Sequence, residues 1–323
     1  MTTATARAHS NIALIKYWGK RDAARNLPAA GSISITLEGL HTDTRVDFDP
    51  TLAADTCELD GEPVATERMR PLLDHIRARA AIESRARIIT HNNFPTGAGL
   101  ASSASGFAAL TLAATAAAGL QLSRRQLSTL ARLGSGSAAR SLFGGYVEML
   151  RGSAADGHDA HAVPLLDAAD WPLAVVVAIT DADAKAVDSR RGMTASAAGS
   201  PFYASWLRQT DADLVAMRAI IAQHDFHALG ALAEHNCLKM HALMLSTQPA
   251  LLYWNGATVN AMHALRALRK DGVPVYFTID AGPQIKALCP PEFAATTAAT
   301  LAAVPGVQSV LRTGLGPGAH LLS

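Results

Sequence analysis

One stretch limits what this chain can become. Asn92-Asn93-Phe94-Pro95-Thr96-Gly97-Ala98-Gly99-Leu100-Ala101-Ser102-Ser103-Ala104-Ser105-Gly106 is rich in glycine and serine. It runs straight into Phe107-Ala108-Ala109-Leu110-Thr111-Leu112-Ala113-Ala114, a strong helix former. Small residues let backbone N–H groups come close to a ligand. A helix N-terminus adds donors without intrahelical acceptors and the positive end of a dipole. Together these make an anion site, with phosphate the first candidate. The same residues would also suit a helix packed tightly in a core, and a glycine-rich turn does not choose between the two. No Gly-Lys-Ser/Thr closes the loop, so it is not a Walker loop, and it carries no Gly-x-Ser-x-Gly nucleophile elbow.

The chain has 323 residues, 49% of them apolar and 17% charged, enough for a large core and two domains. A net charge of +1 points to neither nucleic acid nor an anionic membrane surface. Residues 1–7 lack the apolar core of a signal peptide, and the longest near-apolar run, 107–120, is too short and alanine-rich to span a bilayer. Cys57, Cys237 and Cys289 are far apart and form no C-x-x-C, which fits a reducing cytoplasm and argues against structural zinc. The histidines form no H-E-x-x-H and read as ordinary surface or core residues. The chain has few lysines: Lys16, Lys20, Lys185, Lys239, Lys270 and Lys286. In such a chain a lysine can mark a place that needs a compact, mobile ammonium, or can simply reflect biased composition.

Along the chain, 8–15 reads as a short buried strand before a polar turn, and Ser32-Ile33-Ser34-Ile35-Thr36-Leu37 and 44–49 alternate as half-buried strands. Residues 57–62 read as a strand meeting a turn. A helix is expected from about Glu67, and 87–90 is a strand feeding the glycine-serine loop. A second helix, 123–133, has Ser123 as its N-cap. It ends at a second glycine-serine turn, Gly134-Ser135-Gly136-Ser137-Ala138-Ala139-Arg140-Ser141-Leu142-Phe143-Gly144-Gly145, which strengthens the anion reading. Residues 146–149 read as a strand, 153–161 as a surface loop, and 172–180 as a fully buried strand. The polar passage 181–200 sets a domain boundary, giving domains 1–183 and 184–323. Helices are expected at 202–223, 231–244 and 255–271, and strands at 273–279 and 307–311. Asp280 follows the first of these strands, beside a Gly-Pro turn. A carboxylate there is placed for chemistry or for capping.

Four segments taken together resemble the diphosphomevalonate decarboxylase family of the GHMP kinase superfamily. They are Asn11-Ile12-Ala13-Leu14-Ile15-Lys16-Tyr17-Trp18-Gly19-Lys20, the 94–105 loop, the 134–145 turn, and Ile279-Asp280-Ala281-Gly282-Pro283. The likeness covers nearly the whole chain in order and spacing. It implies an α/β (α+β) GHMP kinase fold, with an N-terminal half like ribosomal protein S5 domain 2 and a ferredoxin-like C-terminal half. It implies ATP-dependent decarboxylation of mevalonate 5-diphosphate to isopentenyl diphosphate, ADP, phosphate and CO2, with Mg2+, in a cytoplasmic homodimer with no nucleic-acid or membrane partner.

The resemblance also implies roles. Asp280 faces the C3 hydroxyl, Lys16 helps to keep Asp280 ionised, and Arg140 grips the substrate carboxylate. Tyr17, Trp18, Gly19, Lys20, Arg68, Ser135, Gly136, Ser137, Ala138, Ala139, Ser189 and Arg190 hold the substrate, with Arg70 a rival to Arg68. Asn93, Gly99, Ala101, Ser102, Ser103, Ser105 and Lys185 form the ATP site, with Ser103 nearest a magnesium carried on the phosphates. The 28–34 stretch departs from a family segment richer in Asn and Ser, so a minor polar contact is expected to be missing there. Gly97 stands where alanine is commoner, which loosens the loop, and 188–193 follows the bacterial style. Rival readings are a mevalonate 5-phosphate decarboxylase, a mevalonate 3-kinase and an inert GHMP-fold binding protein. The presence of Asp280, Lys16 and Arg140 argues against the last two, and Lys20 with Arg190 against the first.

Overall fold

A computed structural model describes residues 3–94, 100–181, 183 and 186–322. The chain opens with a long strand β1 (Thr3–Ile15), a short hairpin β2 (Lys20–Asp22) and β3 (Leu27–Pro28), and a second long strand β4 (Ser32–Asp49). β5 (Thr56–Leu59), β6 (Glu62–Pro63), helix α1 (Arg70–Ala80) and β7 (Arg85–Asn92) follow. Then come α2 (Ser102–Ala117), α3 (Arg124–Gly134), a 3-10 segment (Gly136–Leu142), β8 (Tyr146–Met149) and β9 (Ala162–Leu166). β4 is long enough to serve two neighbours. Its first residues pair with β8 and its last with β7, while β1 runs antiparallel along both parts.

The alanine-rich sequence of α2 explains its place. Ala104, Ala108, Ala109, Ala113 and Ala114 are buried, and so small a surface lets the helix lie close against β1 and β4. The hydroxyls of Thr111 and Thr115 are satisfied inside the helix, donating to Phe107 O at 2.6 Å and Thr111 O at 2.8 Å. The expected Ser123 cap of α3 is present as a full capping box with Gln126.

The second half contains β10 (Ala174–Ile179), helices α4 (Ser189–Gly199), α5 (Tyr203–Gln223), α6 (Phe226–Leu245) and α7 (Gly256–Lys270), the hairpin β11 (Tyr276–Ile279) and β12 (Ile285–Cys289), helix α8 (Ala294–Ala302), β13 (Ser309–Gly314) and β14 (His320–Leu322). β11, β12, β10 and β13 form an antiparallel sheet in that order. β10 is apolar on both sides because both its faces are covered. Val175 and Val177 pack with β1, β4, α5 and α6, while Val176 and Ala178 pack with α7 and α8. Each such valine contributes about 1.5–3 kcal/mol by burial.

β10 already belongs to the second sheet, so the chain changes sheets within 167–173, and β14 returns to pair with β1. Residues 189–199, read only as a polar passage, form α4, because Asp188 caps it by accepting from the N–H groups of Arg190 and Arg191. Among the described residues, no helix is long and apolar enough to cross a membrane.

Candidate active site

A cavity of about 340 Å³ lies where the ends of β1 and β11 meet the first turns of α2 and α4 and the 3-10 segment. Lys16 is the first residue beyond β1, and Asp280 the first beyond β11. The two strand ends are tied together by Thr278 Oγ1, which donates to Ala13 O at 3.3 Å. The backbone N–H of Lys16 donates to Asn236 of α6 at 2.9 Å. Lys16 therefore reaches the cavity floor with 1% of its side chain exposed and its Nζ 2.7 Å from Asp280 Oδ1. An ammonium buried this deeply needs such a partner.

The β11–β12 hairpin brings a second lysine. Its register sets Thr278 opposite Lys286, and side chains alternate along a strand, so Thr278, Asp280 and Lys286 share one face. Lys286 is fully buried, with Nζ 3.5 Å from Asp280 Oδ2. Burial alone would raise the carboxyl pKa. Lys16 and Lys286 outweigh it and hold Asp280 well below the usual carboxylate range. The Lys286 ammonium is pushed down, chiefly by burial and against the pull of Asp280.

Arg140, on the 3-10 segment, is 2% exposed yet borders the cavity. Its Nε donates to Ser34 Oγ at 2.8 Å, its Nη1 to Ser32 Oγ at 2.5 Å and its Nη2 to Asn11 Oδ1 at 2.9 Å. Asn11 is itself fixed, donating to Ser137 O at 3.0 Å and Ser141 Oγ at 2.8 Å. These acceptors are neutral, so they orient the guanidinium without cancelling its charge. Burial pushes its pKa down to about 10, with Asp280 and Tyr17 opposing, so it stays protonated at neutral pH. Two residues of the 28–34 stretch, Ser32 and Ser34, thus help to seat this guanidinium.

The other end of the cavity gathers Lys20, Arg68 and Arg190, with Asp188 the nearby carboxylate. Lys20 Nζ donates to Asn26 Oδ1 at 2.5 Å, and Asn26 Nδ2 donates to Leu133 O at 2.6 Å. Lys20 is pushed down to about 8 by burial and then by the charges of Arg190 and Arg68. Arg68 is lowered in the same way, by burial and Arg190, while its guanidinium lies 5.7 Å from the Phe107 ring centre. Mutual repulsion of this kind is relieved by a polyanion. Arg70, two residues on, is not among the cavity's lining residues.

Several expected residues do line the cavity: Tyr17, Trp18, Ser135, Gly136, Ser137, Ser189, Ala101, Ser102 and Ser103. Gly136 lies against the Tyr17 ring, leaving no room for a Cβ. Ala101 caps α2 with a left-handed φ of 61°, which costs a non-glycine residue about 1–2 kcal/mol. Ser103 Oγ lies 3.4 Å from Ser135 Oγ, so the two glycine-serine turns meet at this wall.

Others are placed elsewhere. Ser105 is buried, its hydroxyl 2.7 Å from Thr42 Oγ1, because it falls on the face of α2 that packs on β4. Asn93 spends its amide on Gly39 O and the His41 N–H and lines a separate cavity. Ala138 and Ala139 face the core, and Gly19, at a φ of 121°, shapes the turn beneath Tyr203 rather than lining the cavity. Gly99 and Lys185 lie outside the described residues. The sequence reading missed Lys286, Asn11, Ser32, Ser34 and Asn26. Lys286 had one signal: it is a scarce lysine whose strand parity matches that of Asp280.

The two large sheets and the cavity where the ends of β1 and β11 meet define a GHMP kinase-type fold, shared with solved mevalonate diphosphate decarboxylases. Residues 8–162 match the model of the diphosphomevalonate decarboxylase-like N-terminal domain, and residues 175–312 that of the mevalonate 5-diphosphate decarboxylase C-terminal domain. The diphosphomevalonate decarboxylase of Saccharomyces cerevisiae is 38% identical over 303 residues, spanning 87% of this chain and 76% of the relative. The phosphomevalonate decarboxylase of Haloferax volcanii is 34% identical over 286 residues, spanning 87% and 86%. The crystal structure of mevalonate diphosphate decarboxylase from Staphylococcus aureus superposes with a TM-score of 0.93 at 39% identity, covering 100% of this chain and 98% of the other. A structure of MDDEF in complex with MVAPP, AMPPCP and magnesium does so with a TM-score of 0.93 at 37% identity, covering 100% and 99%. The chain belongs to the diphosphomevalonate decarboxylase family.

Proposed function

We propose that this protein is an ATP-dependent decarboxylase of mevalonate 5-diphosphate, producing isopentenyl diphosphate, ADP, phosphate and CO2. One observation carries the reading: the ionised Asp280 carboxylate and the Arg140 guanidinium, oriented only by neutral acceptors, border one cavity whose far end is a cluster of three cations. A substrate with a tertiary hydroxyl, a carboxylate and a diphosphate matches those features group for group. The relative solved with MVAPP, AMPPCP and magnesium supports the same assignment.

In this reading the diphosphate lies against Lys20, Arg68 and Arg190 at the positive end of α4, and Tyr17 and the 135–137 turn flank it. Arg140 takes the carboxylate through its fork. Asp280 orients the C3 hydroxyl and accepts its proton as the oxygen bonds to the γ-phosphorus of ATP and the bond from that phosphorus to the β-phosphate oxygen breaks, releasing ADP. Phosphoryl transfer is largely dissociative, so early deprotonation is not needed. The C3–O bond to the phosphoryl group then breaks, and positive charge develops at C3 beside the carboxylate of Asp280. The electrons of the bond to the departing CO2 close the new double bond.

ATP phosphates fit the wall formed by Ala101, Ser102 and Ser103 at the N-terminus of α2. A magnesium ion carried on the nucleotide would have Ser103 beside it. That ion would neutralise charge on the phosphates. Gly99 and Lys185 remain assigned to the same site by resemblance. The reading also includes a cytoplasmic homodimer, which sedimentation and cell fractionation test.

The deciding experiment incubates the protein with ATP, Mg2+ and mevalonate 5-diphosphate, beside mevalonate 5-phosphate and mevalonate. Equal release of ADP and CO2 from the diphosphate is expected. ADP without CO2 would make the protein a kinase, and neither product would make it an inert binding fold. The Haloferax volcanii relative favours a second reading, a mevalonate 5-phosphate decarboxylase. The three-cation cluster weighs against it, because a monophosphate offers less charge to relieve the repulsion.

A further inference from the structure

Asp280 is held by two lysines in different surroundings. Lys16 and Asp280 both line the cavity, whereas Lys286 is not among its lining residues and is fully buried. Asp280 Oδ2 is closed off from solvent and has no hydrogen-bond partner among the described residues; Lys286 Nζ meets it as an ion pair at 3.5 Å, while 24% of the side chain is exposed. Oδ1 is thus the oxygen on the Lys16 side of the cavity, and Oδ2 is the oxygen held from behind. One carboxylate needs one ammonium for neutrality. Burying a second has a desolvation cost of several kcal/mol, which the Lys16–Asp280 pair alone does not explain.

We propose that Lys286 is a positioning residue: it holds Asp280 by Oδ2, so that the carboxylate stays ionised with Oδ1 toward the cavity when Lys16 leaves Oδ1 for the incoming anions. The proposal rests on the functional reading above. In the resting cavity Lys16 occupies Oδ1 at 2.7 Å, the oxygen that the C3 hydroxyl must reach. The substrate carboxylate and the γ-phosphoryl group both attract Lys16 away. Were Lys16 the sole partner, its departure would leave a desolvated carboxylate, which would take up a proton and lose its acceptor role. Lys286 is shielded from that competition.

The other groups around Asp280 do not substitute for Lys286. Arg140 is committed to Asn11, Ser32 and Ser34. From α6, Cys237 accepts from the Ile279 N–H at 3.1 Å, and burial pushes its thiol up, so it stays a neutral thiol and offers no counter-charge. His241, also on α6, is pushed down to about 3 by burial and by Lys16, so it is neutral.

The test uses the full chain carrying Lys286→Met, which keeps the length and removes the charge. Lys286→Gln, which keeps a donor without the charge, serves if the Met variant does not fold. With ATP, Mg2+ and mevalonate 5-diphosphate, kcat should fall about 10- to 100-fold while KM stays within about threefold, as expected when a reacting group is misplaced but binding is intact. Asp280 works ionised, and losing Lys286 raises its pKa. The acid limb of kcat should therefore move to higher pH by about one unit or more. Carbon-detected NMR of aspartate carboxyls, with Asp280 assigned by its loss in Asp280→Asn, reads the same change without turnover. Lys16 still holds Oδ1 in the ligand-free protein, so the signal should titrate at a higher pH in the variant than in the parent protein. An unchanged Asp280 titration, or a pH profile of unchanged shape, would overturn the proposal. If the parent protein releases neither CO2 nor ADP, the functional reading falls, and the NMR titration still decides whether Lys286 governs Asp280.

Discussion

At the Asp280 end of the cavity every charge has a fixed partner. Lys16 and Lys286 bracket one carboxylate, and three neutral acceptors fix Arg140. At the Lys20 end the charges crowd one another. Lys20 and Arg68 are both pushed down by burial and by neighbouring cations, with Asp188 offering partial relief. The first end is organised before any ligand arrives, as a reacting centre requires. The second is poised for a ligand that relieves its repulsion, so its energy goes into binding. The difference teaches that two ends of one cavity, both rich in cations, can be told apart by whether those cations face a carboxylate and neutral acceptors or face one another.

The comparison breaks first at Asp280. Asp280→Asn keeps the shape and removes the acceptor charge, so kcat should fall about 10²- to 10⁴-fold while ATP binding, followed by calorimetry, is retained. Near-parent turnover would move the reacting centre elsewhere. Arg140→Lys comes next. A lysine cannot reproduce the fork on Asn11, Ser32 and Ser34, and kcat/KM should drop about 100-fold, because leaving groups of a buried charged network unpaired costs roughly 2–5 kcal/mol.

At the cationic end, Arg190→Met should raise KM for mevalonate 5-diphosphate about 10-fold with kcat nearly unchanged, the pattern of lost uniform binding. It should also narrow the preference over mevalonate 5-phosphate, measured as the ratio of kcat/KM values. A kcat loss equal to that of Asp280→Asn would erase the distinction between the ends. The pH dependence of binding sharpens it further. Lys20 is lowered to about 8 in the ligand-free protein, so its charge is present below that pH and lost above it. Substrate affinity should therefore weaken as pH rises from 7 to 9, by about threefold to tenfold, and Lys20→Arg should flatten the dependence. The smallest effect is that of salt. Raising ionic strength from about 0.05 to 0.5 M should raise KM severalfold and leave kcat nearly constant, because exposed charges are screened and buried pairs are not.

Much of this site was legible in the sequence because its residues lie in short motifs of distinctive composition. Lys16 and Lys20 lie in one segment, Arg140 in a glycine-serine turn, and Asp280 before a Gly-Pro turn. The Ser123 cap and the fully buried strand expected at 172–180, found at Ala174–Ile179, were legible for local reasons: a cap is written within four residues, and an unbroken apolar run needs cover on both faces. Ser105 shows the limit, since a serine in a phosphate-like loop looks the same whether its hydroxyl meets a ligand or Thr42.

The sequence by itself determined which chemical groups are present and where strands β1 and β11 end beside Lys16 and Asp280, because periodicity and turn residues act over a few positions. Only the tertiary structure decided which groups meet. Lys16 and Asp280 are 264 residues apart, and the meeting of β1 with β11 sets them 2.7 Å apart. Lys286 becomes a second partner only through the hairpin register, and Ser32 and Ser34 become the seat of Arg140 only because β4 passes beneath the 3-10 segment. Likewise β14 crosses back to β1, and β10 joins the second sheet. Pairing and burial depend on the whole chain's packing, and no local pattern contains it.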